Sequence, residues 1–135
     1  MYALMIKPEY VADILEGTKT EEYRSWSTDY RGDLLIGCSS TRYSNAYLAA
    51  LVDLTDCYYD RANEVYVWQL DNIRAIKPLP ITGKLRIFET NVQPHDIVVL
   101  NTEKETIAAY DNADEWIIKK REVKKNAGKS SSNKN

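Results

Sequence analysis

The sequence predicts a small α+β domain: a β-barrel of about five to seven strands, one short N-terminal helix and a C-terminal helical segment. Three observations carry this expectation. The 135 residues suit one domain and leave no room for a second. Short β-branched and aromatic runs recur between turn residues at intervals of roughly 8–15 residues. Helical spacing of apolar residues is confined to the stretch after Pro8 and the region after Thr102.

Residues 2–6, Tyr-Ala-Leu-Met-Ile, read as the first strand. Pro8 suits a first helical position, Val11, Ile14 and Leu15 form one apolar stripe, and Gly17 stands where a C-cap glycine belongs. The pattern then changes to a strand over 20–26. A turn at Tyr30-Arg31-Gly32-Asp33 leads to strands over 34–39 and, after a polar loop, over 47–58. Residues 65–70 begin a strand that reaches Ile76, where Pro78 and Pro80 are expected to break it. Further strands are expected over 84–88 and 97–100. Thr102 and Glu105 have capping-box spacing for a helix over 102–110. Trp116 and Ile117 either resume that helix or open an edge strand. The domain is expected to span 1–123, with 124–135 a disordered basic tail of Lys, Ser, Asn and Gly.

The net charge of −2 conceals an uneven distribution: seven Lys or Arg and one Glu fall in 119–135, leaving 11 basic and 19 acidic residues in the body. An acidic body disfavours tracking along a duplex, so nucleic-acid binding is expected only in a local basic cleft. No apolar run approaches the roughly 20 residues of a membrane span, and no secretory signal is evident. The expectation is a cytoplasmic protein with no membrane partner. Cys38 and Cys57 belong to no C-x-x-C pair and are expected as buried, reduced thiols. His95, the single histidine, lies in a Pro-His-Asp turn. With no cysteine cluster beside it, neither a metal site nor a cofactor is expected.

The chemistry concentrates in Gly17-Thr-Lys-Thr-Glu-Glu-Tyr-Arg-Ser-Trp-Ser-Thr-Asp-Tyr-Arg-Gly32. Lys19 follows the helix end. Glu22, Arg24 and Trp26 alternate along a strand and so share a face. Glu22 can pair with Arg24 and hold its guanidinium in a fixed plane, with donors left for an outside acceptor. Arg31 returns from the next turn as a second positive end. The same residues also fit a solvated lysine after a C-cap and an exposed ion pair worth under about 1 kcal/mol.

These residues resemble the signature of the ASCH family, in which a strand and a Lys-Pro or Gln-Pro helix start precede Gly-x-Lys-x-x-Glu-x-Arg. The matching positions are Lys7-Pro8, Gly17, Lys19, Glu22 and Arg24. The branch homologous to activating signal cointegrator 1 continues as Arg-Ser-Trp-x-Thr-x-x-Arg-Gly, matched by Arg24 through Gly32. Leu51-Val-Asp-Leu-Thr-Asp-Cys57 and Pro80-Ile-Thr-Gly also look like segments of that branch. The resemblance covers roughly 2–90. It implies a PUA-like barrel with a nucleic-acid cleft beside the first helix, lined by Lys19, Glu22 and Arg24, with Trp26 and Arg31 added from the coactivator branch.

Ser39 and Ser40 end a strand where relatives bring small polar groups near the cleft, and a turn-forming role fits them equally. Arg42 and Tyr43 are expected at the rim. Asp53 and Asp56 resemble family positions but are spaced to face opposite ways, which suits turns better than acid/base work. Tyr43, Tyr47 and Tyr58 are candidates for base stacking. Trp68 is expected in the core with its indole N–H bonded.

The leading expectation is a binding module for RNA or a modified nucleotide. Lys19 and Arg31 take phosphates, and Glu22 reads a base amine. One ASCH branch is an amidohydrolase on N4-acetylcytidine, with a lysine at the position of Lys19 and a threonine three residues on. Here Glu22 occupies the threonine position, and an acid beside Lys19 favours its charged form, the wrong direction for a general base. That hydrolase, with Lys19 catalytic and no metal, is one alternative. A ribonuclease using Lys19, Ser39 and Tyr43 or Tyr47, and an adaptor within a protein complex, are the others.

Overall fold

The structure, a computed structural model, describes residues 1–40, 45–102, 104 and 105. In chain order the elements are β1 (Tyr2–Ile6), α1 (Pro8–Glu16), β2 (Glu21–Arg24), β3 (Gly32–Cys38), β4 (Tyr47–Asp60), β5 (Val65–Pro80) and β6 (Phe88–Glu89), followed by a 3₁₀ turn at Pro94–Asp96. The strands form one mixed sheet in the order β2-β5-β4-β3-β1-β6. All neighbours are antiparallel except β1 and β3, which pair in parallel from Ala3↔Leu35 to Ile6↔Cys38. A parallel pair needs a long crossover, and α1 together with β2 supplies it.

The sheet has two end strands and is not closed by a backbone ladder among the described residues. It nevertheless curls. In a flat sheet β2 and β1 would stand four spacings apart, roughly 19 Å, yet Arg24 on β2 donates from Nη2 to the carbonyl of Met5 on β1 at 2.9 Å. An arginine side chain reaches far less than that span, so the sheet must bend β2 back towards β1. The bending is built into β4 and β5, whose register shifts at three places along their shared ladder. The expected closed barrel is therefore replaced by a curled open sheet with a side chain across its seam.

Alternation along β3 divides the core. Leu34, Ile36 and Cys38 join Leu4, Ile6, Trp68 and the α1 residues Val11, Ala12 and Ile14 on one face. Leu35 joins Ala3, Leu48, Leu51 and Ile76 on the other, covered by Met1, Leu79, Ile81, Phe88, Val92 and Ile97. Both faces are covered, which is why β3 reads as an unbroken apolar run. Burying each large side chain contributes about 1.5–3 kcal/mol.

Several boundaries differ from expectation. β5 continues through Pro78 to Pro80 because Ile76, Lys77 and Pro78 fall in a register irregularity, between Ala50↔Ala75 and Leu48↔Leu79, where a proline displaces no regular ladder bond. The strand expected over 84–88 is reduced to Phe88–Glu89, since the chain before it bends with Arg86 in the left-handed region at φ 62°. Residues 97–100 contribute only the bridge Ile76↔Val99. Cys38 is buried but Cys57 is only half-buried; both are free thiols. At the C-terminal side, the Glu105 N–H donates to Thr102 Oγ1 at 3.0 Å and the Thr102 N–H donates to Glu105 Oε2 at 3.2 Å, the reciprocal capping pair. The rest of the expected C-terminal helical segment and tail lies outside the described residues. No helix among the described residues is long and apolar enough to cross a membrane.

Candidate functional site

The end of α1 sets the position of Lys19. Gly17 adopts φ 80°, a conformation glycine reaches without a Cβ penalty. Its N–H donates to the Ile14 carbonyl at 3.0 Å, and the N–H groups of Thr18 and Lys19 donate to the Asp13 carbonyl at 3.0 and 3.1 Å. The Lys19 backbone is thus tied to the last helical turn. Its ammonium sits 5.4 Å from the ring centre of Tyr10 on α1 and 5.0 Å from that of Tyr23 on β2, within cation–π range of both.

The first strand after the helix brings up the counter-charge. Glu22 is buried, only 6% exposed. Its Oε1 lies 3.3 Å from Lys19 Nζ and accepts the Tyr23 N–H at 3.1 Å, while its Oε2 accepts Arg24 Nη2 at 3.0 Å. The same Nη2 donates to Met5 across the seam. Arg24 Nε is buried with no hydrogen-bond partner. One carboxylate therefore gathers two cations, and one of them retains an uncommitted donor.

Met5 links this cluster to an open pocket of about 310 Å³, lined by Met5, Ser39, Ser40, Ala46, Gly83, Lys84 and Leu85. The Ser39 N–H donates to the Ile6 carbonyl, which keeps the end of β3 beside β1. Leu85 is 93% exposed at the pocket rim. Arg86 then turns back so that its guanidinium carbon lies 5.1 Å from the Trp26 ring centre. Trp26 itself meets Trp68 edge-on at 4.8 Å, and the Trp68 indole N–H donates to the Trp26 carbonyl at 3.4 Å. Trp26 is thus a half-buried plate with an arginine over it.

The sequence motif is only partly gathered. Lys19, Glu22 and Arg24 form one cluster, and Ser39 and Ser40 line the adjoining pocket. Arg31 is held elsewhere: its guanidinium donates to the carbonyls of Thr28, Tyr30 and Cys57 and stands 3.8 Å from Asp56. Asp53 pairs with Arg74 at 2.7 Å, and Asp56 accepts the Cys57 N–H. Tyr47 is buried, whereas Tyr58 is exposed and its hydroxyl donates to Glu21 on β2. Arg42, Tyr43 and Trp116 lie outside the described residues. Sequence reasoning missed Met5, Tyr10, Tyr23, Lys84, Leu85 and Arg86. The Gly83-Lys84 pair was visible in the Pro80-Ile-Thr-Gly segment, but strand-like residues after it concealed a loop.

A family model described as the ASCH domain matches residues 4–116. The chain belongs to the ASCH domain family. No curated protein sequence matches it. The match takes in α1, all of β2–β6 and the whole Lys19–Glu22–Arg24 cluster of the ASCH domain. In this ASCH domain the Glu22 carboxylate holds Lys19 and Arg24, Lys84 lines the adjoining pocket, and Arg86 lies over Trp26. Such an excess of cations suits an anionic ligand, and serine hydroxyls at the pocket wall add small donors for its oxygens. Among the described residues no group of three or more His, Cys, Asp or Glu side chains could hold a metal ion.

Proposed function

We propose that the cleft binds an unpaired nucleotide, as part of RNA or as a modified nucleotide, without chemistry of its own. The observation that carries this is Glu22. Buried and bonded to both cations, it fixes Lys19 and Arg24 at the seam beside an open pocket walled by Ser39, Ser40 and Lys84. Glu22 acts through the two cations rather than as a reader of base edges, because each of its oxygens already carries a cationic contact. Lys19, Arg24 and Lys84 take phosphate or carbonyl oxygens, and the Arg86–Trp26 stack offers a planar surface for a base. ASCH membership supports a nucleic-acid ligand. The residues Arg24 through Gly32 and 51–57 support the branch homologous to activating signal cointegrator 1, with a domain over 1–123 and a separate basic tail.

The test is a titration of labelled single-stranded RNA and its duplex across a salt series. With two or three phosphate contacts, the slope of log affinity against log salt is about −1.4 to −2.1 for the single strand. Lys19→Ala weakens binding at every salt concentration, and duplex binds less tightly. Tighter duplex binding with a much steeper slope, or a Lys19→Ala variant equal to wild type, would overturn the reading. Incubation of the same protein with RNA and with N4-acetylcytidine leaves both intact; cleavage or release of cytidine that disappears in Lys19→Ala would replace binding by hydrolysis.

A further inference from the structure

β2 has a second face. Glu22 and Arg24 turn towards the seam, so Glu21 and Tyr23 turn the other way. There they line a cavity of about 370 Å³ together with Tyr58 and Asp60 from β4 and its turn, Asn63, and Val65 and Val67 from β5. None of these lining residues is basic.

The hydrogen-bonding state of the wall defines what can enter. The Tyr23 hydroxyl donates to Glu21 Oε1 at 3.1 Å, and the Tyr58 hydroxyl donates to Glu21 Oε2 at 3.4 Å. Both phenols have therefore committed their only proton and offer lone pairs alone. The Asn63 side-chain N–H donates to Asp60 Oδ2 at 2.7 Å, and Asp60 Oδ1 accepts the N–H groups of Ala62 and Asn63. The wall thus combines two carboxylates, two phenol oxygens that accept, two aromatic rings and two valine side chains. A phosphate would meet two carboxylates, with only the remaining Asn63 side-chain N–H as a donor. A neutral apolar molecule would leave the acceptors without partners.

We propose that this cavity binds the head group of an N–H-bearing organic cation, a primary ammonium or a guanidinium, with its alkyl stem against Val65 and Val67. The charge answers Glu21 and Asp60, the N–H groups answer the four sets of acceptors, and the tyrosine faces add cation–π attraction. Lys19 already uses the Tyr23 ring in this way at 5.0 Å. The source of the cation is either a free aliphatic amine or a lysine or arginine side chain of a peptide. This site and the nucleotide cleft meet at the Tyr23 ring, which Lys19 touches from the other side, but neither reading depends on the other.

The experiment follows the ring resonances of Tyr23 and Tyr58 by NMR while the full chain is titrated with n-butylammonium, tetramethylammonium or 1-butanol, and with a capped Gly-Lys-Gly peptide. Butylammonium gives saturating shifts. Tetramethylammonium, charged but without N–H donors, binds at least tenfold more weakly, and butanol gives no saturation. Glu21→Gln weakens butylammonium at least tenfold. Tyr58→Phe, which keeps the ring and removes the oxygen, weakens it several-fold, and both variants keep the wild-type amide spectrum elsewhere. Saturation by the peptide at lower concentration than by butylammonium identifies a side chain as the source; the reverse identifies a free amine. Equal binding of butanol or tetramethylammonium, or an unchanged affinity in Glu21→Gln, would overturn the proposal.

Discussion

Replacing Glu22 by glutamine removes the charge on which Lys19 and Arg24 converge while keeping the size of the side chain. At an effective dielectric of 20, two contacts of 3.3 and 3.0 Å are each worth about 5 kcal/mol before desolvation is subtracted. Most of that gross attraction is offset by the cost of taking the carboxylate out of water. Removing one partner of a buried pair costs about 3–5 kcal/mol, because the other charge is left behind. Here two charges are left, but the Lys19 and Arg24 side chains retain 15% and 26% exposure and can recover some hydration. The expected loss is therefore about 2–3 kcal/mol, at or below the lower edge of the range for a buried pair. For a chain of this length that lowers Tm by roughly 6–15 °C. Thermal unfolding followed by circular dichroism measures it. The loss persists in 0.5 M salt, since a buried group is little screened. A Tm within about 2 °C of wild type, or a difference abolished by salt, would mean that the cluster is solvated and that Glu22 does not organise the cleft.

Arg24→Lys keeps the charge but loses the fork that joins Glu22 to Met5, so it restores little of the RNA affinity lost in Arg24→Ala; equal affinity to wild type would refute the fork's role. The pKa of Tyr23 is raised by its hydrogen bond to Glu21, and that of Tyr58 by desolvation and then by the Glu21 charge. The stabilisation linked to these phenols is complete below the ordinary phenol value near pH 10 and is lost as pH rises through their raised values. Glu21→Gln accordingly brings both ring titrations down in an alkaline NMR series, and titrations that stay in place would refute the coupling. Deleting 124–135 leaves Tm unchanged and makes the salt slope of RNA binding shallower by removing four lysines; a loss of several degrees would refute the composition argument.

Local rules made much of the framework legible. Pro8 and Gly17 delimit α1 as their backbone preferences require, and β1 to β4 lie where period-two or unbroken apolar runs put them. The pairing of Glu22 with Arg24 followed from strand parity. What was not legible depends on distant partners. Nothing near Met5 announces that its carbonyl receives an arginine from β2, because that contact is produced by the curl of β4 and β5. Arg86 lies in a strand-like run, but its backbone is left-handed and its guanidinium lies over Trp26. Parity also placed Trp26 with Arg24 and left open whether Trp68 would pack against it. The burial of Glu22 is likewise tertiary: Glu-x-Arg alone fits a solvated pair equally well.

The seam has a consequence for how this molecule keeps company with its own copies. An unpaired strand edge is a template onto which another extended chain can add, and many β-proteins guard such edges with charge. Among the described residues β6 covers β1 only at Tyr2 and Ala3, which leaves the edge at Met5 without a ladder partner, and β2 has a neighbour on one side alone. Arg24 occupies the Met5 carbonyl that an incoming strand would need first. The residue proposed to shape the cleft thus also stands guard against strand addition, and a change that frees that carbonyl is expected to expose the domain to self-association as well as to loss of the proposed ligand.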